Sequence, residues 1–448
     1  MKLSGKAVMA HPLMQLNRPK GVARQVKEAQ YSRAAEMSAA IASAPATVQT
    51  HSSLREKIMP AREFDIVVYG ASGYTGRLVA EYLSREYRND ASLKWAMAGR
   101  SEEKLKEVAR DIGASPSTRL VVADASDPDS LNAMVGRTRC VITTVGPYQL
   151  YGEPLVAACA AAGTDYVDLC GEPNWMRSMI DKYEAAARKS GARIVFSCGF
   201  DSIPFDLGVW FTQEEAKKEF GAPCAEVKGR VRGMKGKFSG GTAASLKETM
   251  KAAFKDPSVI ELLKSSFALT PGFNGAVQPS MSKPMLDEAT GVWLAPFVMA
   301  PINTKNVHRS NFLMAWAYGK DFRYSEMMMT GKGEQGEAIA RAVAADNSLM
   351  GEDAPKPGEG PTKEERETGY YDILFLGETA RGEKIRTHCK GDKDPGYGST
   401  SKMIAESAIC LVREAKDTKG GVLTPAAAMA APLLKRLQAH AGLTFGRE

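Results

Sequence analysis

The stretch FDIVVYGASGYTG, residues 64–76, decides the fold predicted for this chain. Its first half is an apolar run rich in β-branched residues, which is typical of a buried strand. Its second half places Gly70, Gly73 and Gly76 before residues 75–86, whose apolar side chains recur at helical spacing. A strand, a glycine-rich turn and a helix in this order predict a mononucleotide-binding unit.

The alternation of strand and helix continues beyond this unit. Five more apolar strands are predicted, with helical segments between them, at residues 93–98, 119–123, 140–145, 166–169 and 193–198. Six such strands predict the α/β class, with a Rossmann-type doubly wound parallel sheet over residues 63–215.

The pattern changes after about residue 216, where charged and glycine-rich strands replace the short apolar runs. Residues 216–398 are therefore predicted to form a second α+β domain with a mixed or antiparallel sheet. Within it, residues 265–306 are expected to form long loops or a lid, residues 351–367 a solvated loop, and residues 368–391 two strands. Residues 399–448 are predicted to form helices that return to the Rossmann domain.

Length and charge exclude several classes of function. The 448 residues allow two or three domains and an enclosed site. The net charge of +7 lies mostly in residues 1–59, which hold nine Lys/Arg and three Asp/Glu. The rest of the chain holds 50 Lys/Arg and 49 Asp/Glu and is therefore nearly neutral. A nucleic-acid binder needs a basic patch on its folded part, and none is required here. Binding of nucleic acid is therefore not expected.

The first 62 residues differ from the rest in being basic and rich in Ala and Ser. They are interpreted as a disordered extension or a targeting segment, and Met59 is an alternative start of the protein. A cytoplasmic location is expected, or an organelle if residues 1–58 are a transit peptide.

Cysteine and apolar patterns add two expectations. The seven cysteines are scattered and contain no CxxC pair, which argues against disulfides and a zinc site, and the histidines lack metal-ligand spacing. The longest apolar segment, residues 291–302, is too short to span a membrane, although contact with a lipid surface is left open.

The glycine turn predicts contacts to a dinucleotide. Gly70 permits the tight turn, Gly73 lets the backbone approach the pyrophosphate, and Gly76 lets the helix pack closely on the strand. The helix N-terminus offers free N–H groups to phosphates. The intervening residues Ser72, Tyr74 and Thr75 are predicted to contact the nucleotide as well.

The end of the second strand indicates which dinucleotide binds. An acidic residue there would bind the ribose hydroxyl of NAD, whereas this chain has Arg100 and Ser101. A guanidinium can bind the 2′-phosphate of NADP through two hydrogen bonds, so NADPH/NADP is the predicted cofactor. The alternative is a solvated arginine. Asp124, after the third strand, is expected either to contact the adenine or to cap the next helix.

Ligands of open α/β sheets lie beyond the carboxyl ends of the strands, and the fourth to sixth strands therefore supply the candidates for chemistry. Gly146 and Pro147 are predicted to line the nicotinamide end. Tyr148 is the candidate proton donor or oxyanion hydrogen-bond donor, or else packs in the core. Asp201, after the sixth strand, is the second catalytic candidate; it and Asp206 either orient a donor or cap a helix.

Ordered motifs extend over most of the chain: GASGYTG (70–76), AGR (98–100), GPYQLYGEPLVAACAAAGTDYVDLCGE (146–172), GFDSIPFDLG (199–208), SGGTAAS (239–245), PFVMAPIN (296–303), DPGYGSTSKMIAESA (394–408) and GGVLTPAAAM (420–429). In these motifs the chain resembles the saccharopine-dehydrogenase-like oxidoreductases, and most closely their trans-acting enoyl reductase branch.

The resemblance implies an NADP-binding fold, hydride transfer, and an unsaturated acyl or polyketide chain carried by a synthase that lacks its own reductase domain. Two other functions stay open. One is oxidation or reduction at a carbon–nitrogen bond of an amino-acid adduct, for which Arg230, Arg232 and Arg309 would have to converge on the pocket. The other is a non-catalytic nucleotide-binding protein at a lipid surface. A homodimer is expected from fold analogy alone.

Overall fold

Strand β1 (Phe64–Tyr69) lies inside the first sheet and is almost completely buried on both faces. It pairs in parallel with β2 (Trp95–Gly99) on one side and with β4 (Thr138–Thr143) on the other. Burial on both faces explains why the strand is an unbroken apolar run. The structure is a computed structural model that describes residues 62–237, 240–288, 290–348, 351, 356 and 358–448.

The first sheet has seven parallel strands in the order β13-β6-β5-β4-β1-β2-β3. Its remaining strands are β3 (Arg119–Val122), β5 (Asp165–Val167), β6 (Arg193–Val195) and β13 (Gly421–Leu423). All six predicted strands are present and the Rossmann-type order is confirmed. The seventh strand, β13, was not predicted, since residues 399–448 were expected to form helices.

Helices cover both faces of this sheet. They are α1 (Tyr74–Glu86), α2 (Glu102–Asp111), α3 (Pro128–Gly136), α4 (Tyr148–Tyr151), α5 (Glu153–Ala162), α6 (Pro173–Ser190), α7 (Ile203–Phe220), α13 (Thr400–Arg413) and α14 (Pro425–Arg436). Local sequence sets several boundaries. The Asp127 carboxylate caps α3 before its first-turn proline, and Gly163 ends α5 in a left-handed conformation with φ of 71°.

The second sheet is mixed, as predicted, with the order β14-β12-β11-β7-β10-β9-β8. Strands β7 and β10 pair in parallel and all other neighbours are antiparallel. The strands are β7 (Cys224–Lys235), β8 (Met285–Asp287), β9 (Val292–Pro296), β10 (Arg323–Lys332), β11 (Tyr370–Thr379), β12 (Lys384–Gly391) and β14 (Leu443–Arg447). The accompanying helices are α8 (Gly240–Lys255), α9 (Pro257–Lys264), α10 (Ala300–Leu313), α11 (Gly333–Ala345) and α12 (Lys363–Glu367).

Residues 265–306 were expected to be loops or a lid; residues 265–284 do form loops, whereas the expectation is wrong for parts of the remainder. They contain β8, β9 and the start of α10. Within the apolar segment 291–302, Leu294, Ala295 and Phe297 are buried and Val298 is exposed. The sequence did not predict these elements, because a strand and the start of a helix lie in one apolar, proline-containing run. No helix of the described residues is long and apolar enough to cross a membrane.

The C-terminal segment is divided between the two sheets. Helix α13 packs against α1, β4 and β5, whereas β14 pairs with β12 of the second sheet. The buried carboxylate of Glu406 on α13 accepts hydrogen bonds from the Tyr82 and Tyr87 hydroxyls, both at 2.6 Å, and pairs with Arg436. The expected return to the first sheet therefore applies to α13 and not to the last strand. Residues 1–61, which hold the predicted extension, lie outside the described residues.

Candidate active site

The glycine turn connects β1 to α1 by close contacts between backbone atoms. Gly70 has a φ of 91°, and a side chain on it would meet Thr144 and Val145 at 2.8 Å. A Cβ on Gly76 would lie 2.1 Å from the Gly70 carbonyl oxygen. Any larger residue would therefore separate the helix from the strand.

The N-terminus of α1 is open to a ligand. Gly73 is the N-cap residue, no side chain caps the helix, and its first turn contains no acidic residue. Thr75 lies in this first turn and lines the cavity described below, as Gly73 does. The helix therefore presents backbone N–H groups and a positive dipole end toward that cavity.

Arg100, Ser101 and Ser72 lie together beside the second strand. The Arg100 side chain is exposed and takes part in no ion pair of the described residues. Ser101 caps α2 by accepting the Lys104 N–H at 3.3 Å, and the Ser72 hydroxyl is next to Gly99. This geometry leaves the guanidinium available for a phosphate.

Asp124 has a local role in this structure. Its carboxylate accepts hydrogen bonds from the N–H and the hydroxyl of Ser126, at 2.9 and 2.8 Å, which lowers its pKa. The alternative that Asp124 caps the next helix is wrong, whereas its contact with the adenine stays a prediction. The observed bonds form a turn before α3, whose cap is Asp127 instead.

Tyr74 lines the cavity described below and contacts residues that come after the first sheet in the sequence. Its hydroxyl donates to the Pro361 carbonyl and accepts from Arg366 at 2.9 Å. Its ring meets the edge of the Tyr397 ring, with centroids 4.9 Å apart. Contact of its side chain with the cofactor stays a prediction, and the observed contacts connect the nucleotide turn to residues 361–397.

The segment after β4 places Gly146 and Tyr148 at the cavity. The Gly146–Pro147 peptide bond is cis. The Tyr148 hydroxyl donates to the Thr143 carbonyl at 3.2 Å and accepts the Leu169 N–H at 3.1 Å. Since both partners are backbone groups, the hydroxyl connects the ends of two strands. Its catalytic role stays a prediction, and the structure shows a positioning function.

Glu172 is a residue that the sequence analysis did not single out. Its buried carboxylate accepts the N–H groups of Tyr148 and Gln149, at 2.9 and 2.8 Å, and the Ser245 hydroxyl at 2.7 Å. It thereby holds the short helix α4 and ties it to α8. Glu172 is the last residue of the DLCGE motif, but the groups that bind its carboxylate lie in other segments of the sequence, so the motif alone does not indicate its role.

Asp201 lies at the wall of the cavity, between the end of β6 and α7. No hydrogen bond of the described residues reaches its carboxylate, and burial alone raises its pKa to about 7. The carboxyl group is therefore partly protonated near neutral pH and able to donate a proton.

Asp206 and Asp168 are two more buried carboxyl groups with a pKa of about 7. Asp206 accepts from the Ser310 hydroxyl at 2.6 Å and from the Ala426 N–H at 2.9 Å. Asp168 accepts from the Ser197 and Cys170 N–H groups. Both connect secondary-structure elements, and neither lines the cavity.

Tyr397 also faces the cavity and was not predicted. The Asp394 carboxylate holds the turn before α13 by accepting the N–H groups of Tyr397 and Gly398, at 3.1 and 2.6 Å. No hydrogen bond of the described residues uses the Tyr397 hydroxyl, and burial, with the nearby charges of Tyr74 and Asp201, raises its pKa. The Tyr397 hydroxyl is a neutral hydrogen-bond donor in the cavity that Asp201 also lines.

The cavity itself has a volume of about 830 Å³ and runs from the glycine turn into the second domain. Helix α8 covers it, and Phe200, Phe297 and Met299 give it an apolar wall. Ser239, the first residue of the SGGTAAS motif, lies outside the described residues. Gly241 and Thr242 lie in the first turn of α8 and line the cavity.

Comparison with known proteins gives the family. The family model for the NADP-binding domain of saccharopine dehydrogenase matches residues 66–195. A putative trans-acting enoyl reductase of Mycobacterium tuberculosis is 44% identical over 405 residues, which cover 84% of this chain and 96% of that protein. The trans-acting enoyl reductase of Mycobacterium ulcerans is 39% identical over 404 residues, with the same coverages. This chain belongs to the trans-acting enoyl reductase family.

Among solved structures, the apo saccharopine dehydrogenase of Saccharomyces cerevisiae is similar with a TM-score of 0.48 and 11% identity, over 86% of this chain and 100% of that chain. The resemblance found in the motifs is confirmed by the sequence relatives.

This family member is an NADP-dependent oxidoreductase, and its residues fit the cofactor. The turn is tight because Gly70 and Gly76 have no Cβ, the N-terminus of α1 is uncapped by side chains, and Arg100 forms no ion pair with a carboxylate of the described residues. These are the features that hold a pyrophosphate and a 2′-phosphate.

The other expectations about the site concern cysteines, metals and arginines. All seven cysteines are buried and unpaired, and no group of metal-binding side chains occurs among the described residues. Arg230 bonds Gly229 and Ser325, Arg232 pairs with Asp372 and Glu448, and Arg309 bonds Leu269. None of the three arginines lines the cavity.

Proposed function

We propose that this protein reduces a carbon–carbon double bond conjugated to the carbonyl of an acyl thioester, with NADPH as the electron donor. The names of the sequence relatives support the reaction. The apolar wall at Phe200, Phe297 and Met299 suits a lipid-like chain. The acyl group is proposed to arrive on the carrier of a partner synthase.

The observation that carries the proposal is the position of Asp201. Reduction of a conjugated double bond needs one proton in addition to the hydride, and the Asp201 carboxyl lies in the same cavity as the glycine turn. A raised pKa near 7 keeps a share of this group protonated under neutral conditions. An acid with that pKa transfers protons efficiently at neutral pH.

NADPH held by the glycine turn and Arg100 would supply the hydride for the β-carbon of the enoyl group. The electron pair of the double bond then moves toward the thioester carbonyl oxygen. Asp201 donates its proton to the α-carbon, and the saturated thioester and the Asp201 carboxylate result. A proton from solvent restores the acid. The Tyr397 hydroxyl, on the same side of the cavity, donates a hydrogen bond to the developing oxyanion.

The two alternative functions have less support. A dicarboxylate amino-acid adduct would require converging arginines, and Arg230, Arg232 and Arg309 all bond protein groups away from the cavity. A non-catalytic protein at a lipid surface would have no use for an unpartnered acid beside the nucleotide turn. Half of residues 291–302, the segment for which lipid contact was left open, are buried.

The decisive experiment measures NADPH oxidation by the purified protein with enoyl thioesters, imines and 2-oxo acids. We expect turnover with the enoyl thioesters only, and saturated thioester as the product by mass spectrometry. Turnover confined to imines or 2-oxo acids would favour the carbon–nitrogen reaction. NADPH binding without oxidation of the cofactor by any substrate would favour the non-catalytic function.

A further inference from the structure

A second cavity adjoins the active site on the side away from the nucleotide turn. It has a volume of about 990 Å³. Pockets for drug-sized ligands measure about 300–1,000 Å³, so each of the two cavities is large enough for a ligand. The residues that line both cavities are Met234, Leu246, Leu263, Lys264, Phe297, Val298 and Pro301, of which only Lys264 is charged. A substrate that reacts in the first cavity can therefore extend into the second.

A buried lysine on α10 lines the second cavity. The side chain of Lys305 is 2% exposed. Its Nζ donates to the carbonyl oxygens of Leu263 and Pro301, both at 2.8 Å. An ammonium group has three N–H donors, so these two bonds leave one donor for a ligand.

The charge of Lys305 is only partly compensated. No carboxylate of the described residues pairs with it, and burial without an opposing charge lowers its pKa to about 8. The Leu263 carbonyl belongs to the last turn of α9, and a helix C-terminus supplies only about half a negative charge. At neutral pH the group is still mostly a cation, and a buried cation without an anion is unfavourable.

The nearest titratable neighbour does not compensate this charge. His308 lies one turn further along α10, packed against Phe267, with its Nε2 atom unpartnered among the described residues. Burial and the charge of Lys305 lower the His308 pKa to about 3, so the imidazole is neutral. No group of the described residues therefore compensates the charge of Lys305, and an anionic ligand in the second cavity would do so.

We propose that the second cavity binds the far part of the acyl chain, and that Lys305 selects chains carrying an anionic oxygen, such as a carboxylate, at that end. This inference rests on the proposed function for the orientation of the chain. The substrate class is then an amphipathic enoyl thioester with an apolar middle and an oxygenated far end. The mostly apolar residues that line both cavities accommodate the middle, and Lys305 binds the oxygen.

The first test measures binding and does not depend on turnover. Calorimetry with the NADP-saturated full chain compares dodecanoate with methyl dodecanoate, which lacks the anionic oxygen. We expect dodecanoate to bind about tenfold more tightly, because a hydrogen bond to a charged group contributes that much. In Lys305→Met the difference should vanish. Equal affinities in the wild-type protein, or an unchanged difference in Lys305→Met, would overturn the proposal.

The second test uses enoyl thioesters matched in length that end in a methyl group or in a carboxylate. The wild-type protein should show a KM about tenfold lower for the carboxylate, with kcat unchanged. Lys305→Met should lose this preference and keep its turnover of the short crotonyl thioester. If no enoyl thioester reacts but the binding difference holds, the proposed function fails and the anion site stands.

Two controls separate ligand binding from a structural role. Lys305 also caps α9, so Lys305→Met is expected to lower the unfolding temperature, whereas a structural role alone would not change the preference between matched ligands. Lys305→Gln, whose amide has two N–H donors and no charge, should show an intermediate preference. Lys217→Met removes a half-buried lysine paired with Glu214 and should leave the preference unchanged.

Discussion

Asp201 and Asp206 stand at the start of the same helix, and in both the pKa is raised to about 7. Their surroundings differ. Asp206 is held by the Ser310 hydroxyl and the Ala426 N–H, whereas no hydrogen bond of the described residues reaches Asp201, which faces the cavity. A raised pKa therefore does not by itself identify a catalytic acid. The distinguishing feature is a carboxyl group that has space for a substrate instead of a protein partner.

The same contrast holds for two tyrosines at the cavity. The Tyr148 hydroxyl is bonded to two backbone groups, whereas the Tyr397 hydroxyl has no partner among the described residues. The motif VGPYQLYG predicted the first of them as a catalytic candidate. The geometry favours the second, since a group that is already bonded must break those bonds before it can serve a substrate.

The largest effect is expected for Asp201→Asn. The amide cannot donate the proton, so kcat should fall by a factor on the order of 10² to 10⁴ while NADPH binding is unchanged. Steady-state kinetics with an enoyl thioester and fluorescence titration of NADPH would measure both.

The pH profile sharpens this prediction. The active form of Asp201 is protonated, so kcat of the wild-type protein should fall as the pH rises through about 7. The residual rate of Asp201→Asn should lack this fall. A variant that retains wild-type turnover and the same pH profile would show that another group donates the proton.

Asp206→Asn should affect stability instead of turnover. The asparagine amide can keep one of the two bonds to Ser310 and Ala426, so the free energy of unfolding should fall by about 1–3 kcal/mol. Activity per folded molecule should be unchanged. Denaturant unfolding and active-site titration would measure these quantities.

The loss of stability in Asp206→Asn should depend on pH. The pKa of Asp206 is raised from 3.8 to about 7 by folding, so the wild-type protein loses stability as the pH rises across that range. Asparagine does not titrate. The difference between the two proteins should therefore be largest near the lower end of the range. A large loss of kcat in the folded variant would end the distinction between the two aspartates.

The nucleotide half of the site could be predicted because its determinants are local. The glycine turn lies within one short stretch, and Arg100 follows a strand that the apolar pattern identifies. Strand β1 has the predicted bounds, since a parallel strand buried on both faces is a continuous apolar run. Local patterns suffice where neighbouring residues form the site.

The acceptor half could not be predicted in the same way because distant segments assemble it. Asp201, Tyr397 and helix α8 are far apart in the sequence, and the fold brings them to one cavity. Lys305 lies in an apolar, proline-containing segment that was expected to be a loop. The structure shows instead that it lies on helix α10 and is buried. Their partners depend on packing between elements, which a periodic pattern does not contain.

Tyr148→Phe is expected to have the smallest effect on turnover. The hydroxyl lies between the Thr143 carbonyl and the Leu169 N–H, so its loss should lower the unfolding free energy by about 1–3 kcal/mol. The turnover of the folded variant should stay within roughly tenfold of the wild-type value, because the proton comes from Asp201. Thermal unfolding and kinetics with an enoyl thioester, both with NADPH present, would measure the two effects. If kcat fell as far as in Asp201→Asn while NADPH binding was intact, Tyr148 would be the proton donor and the contrast between bonded and cavity-facing groups would fail at this position.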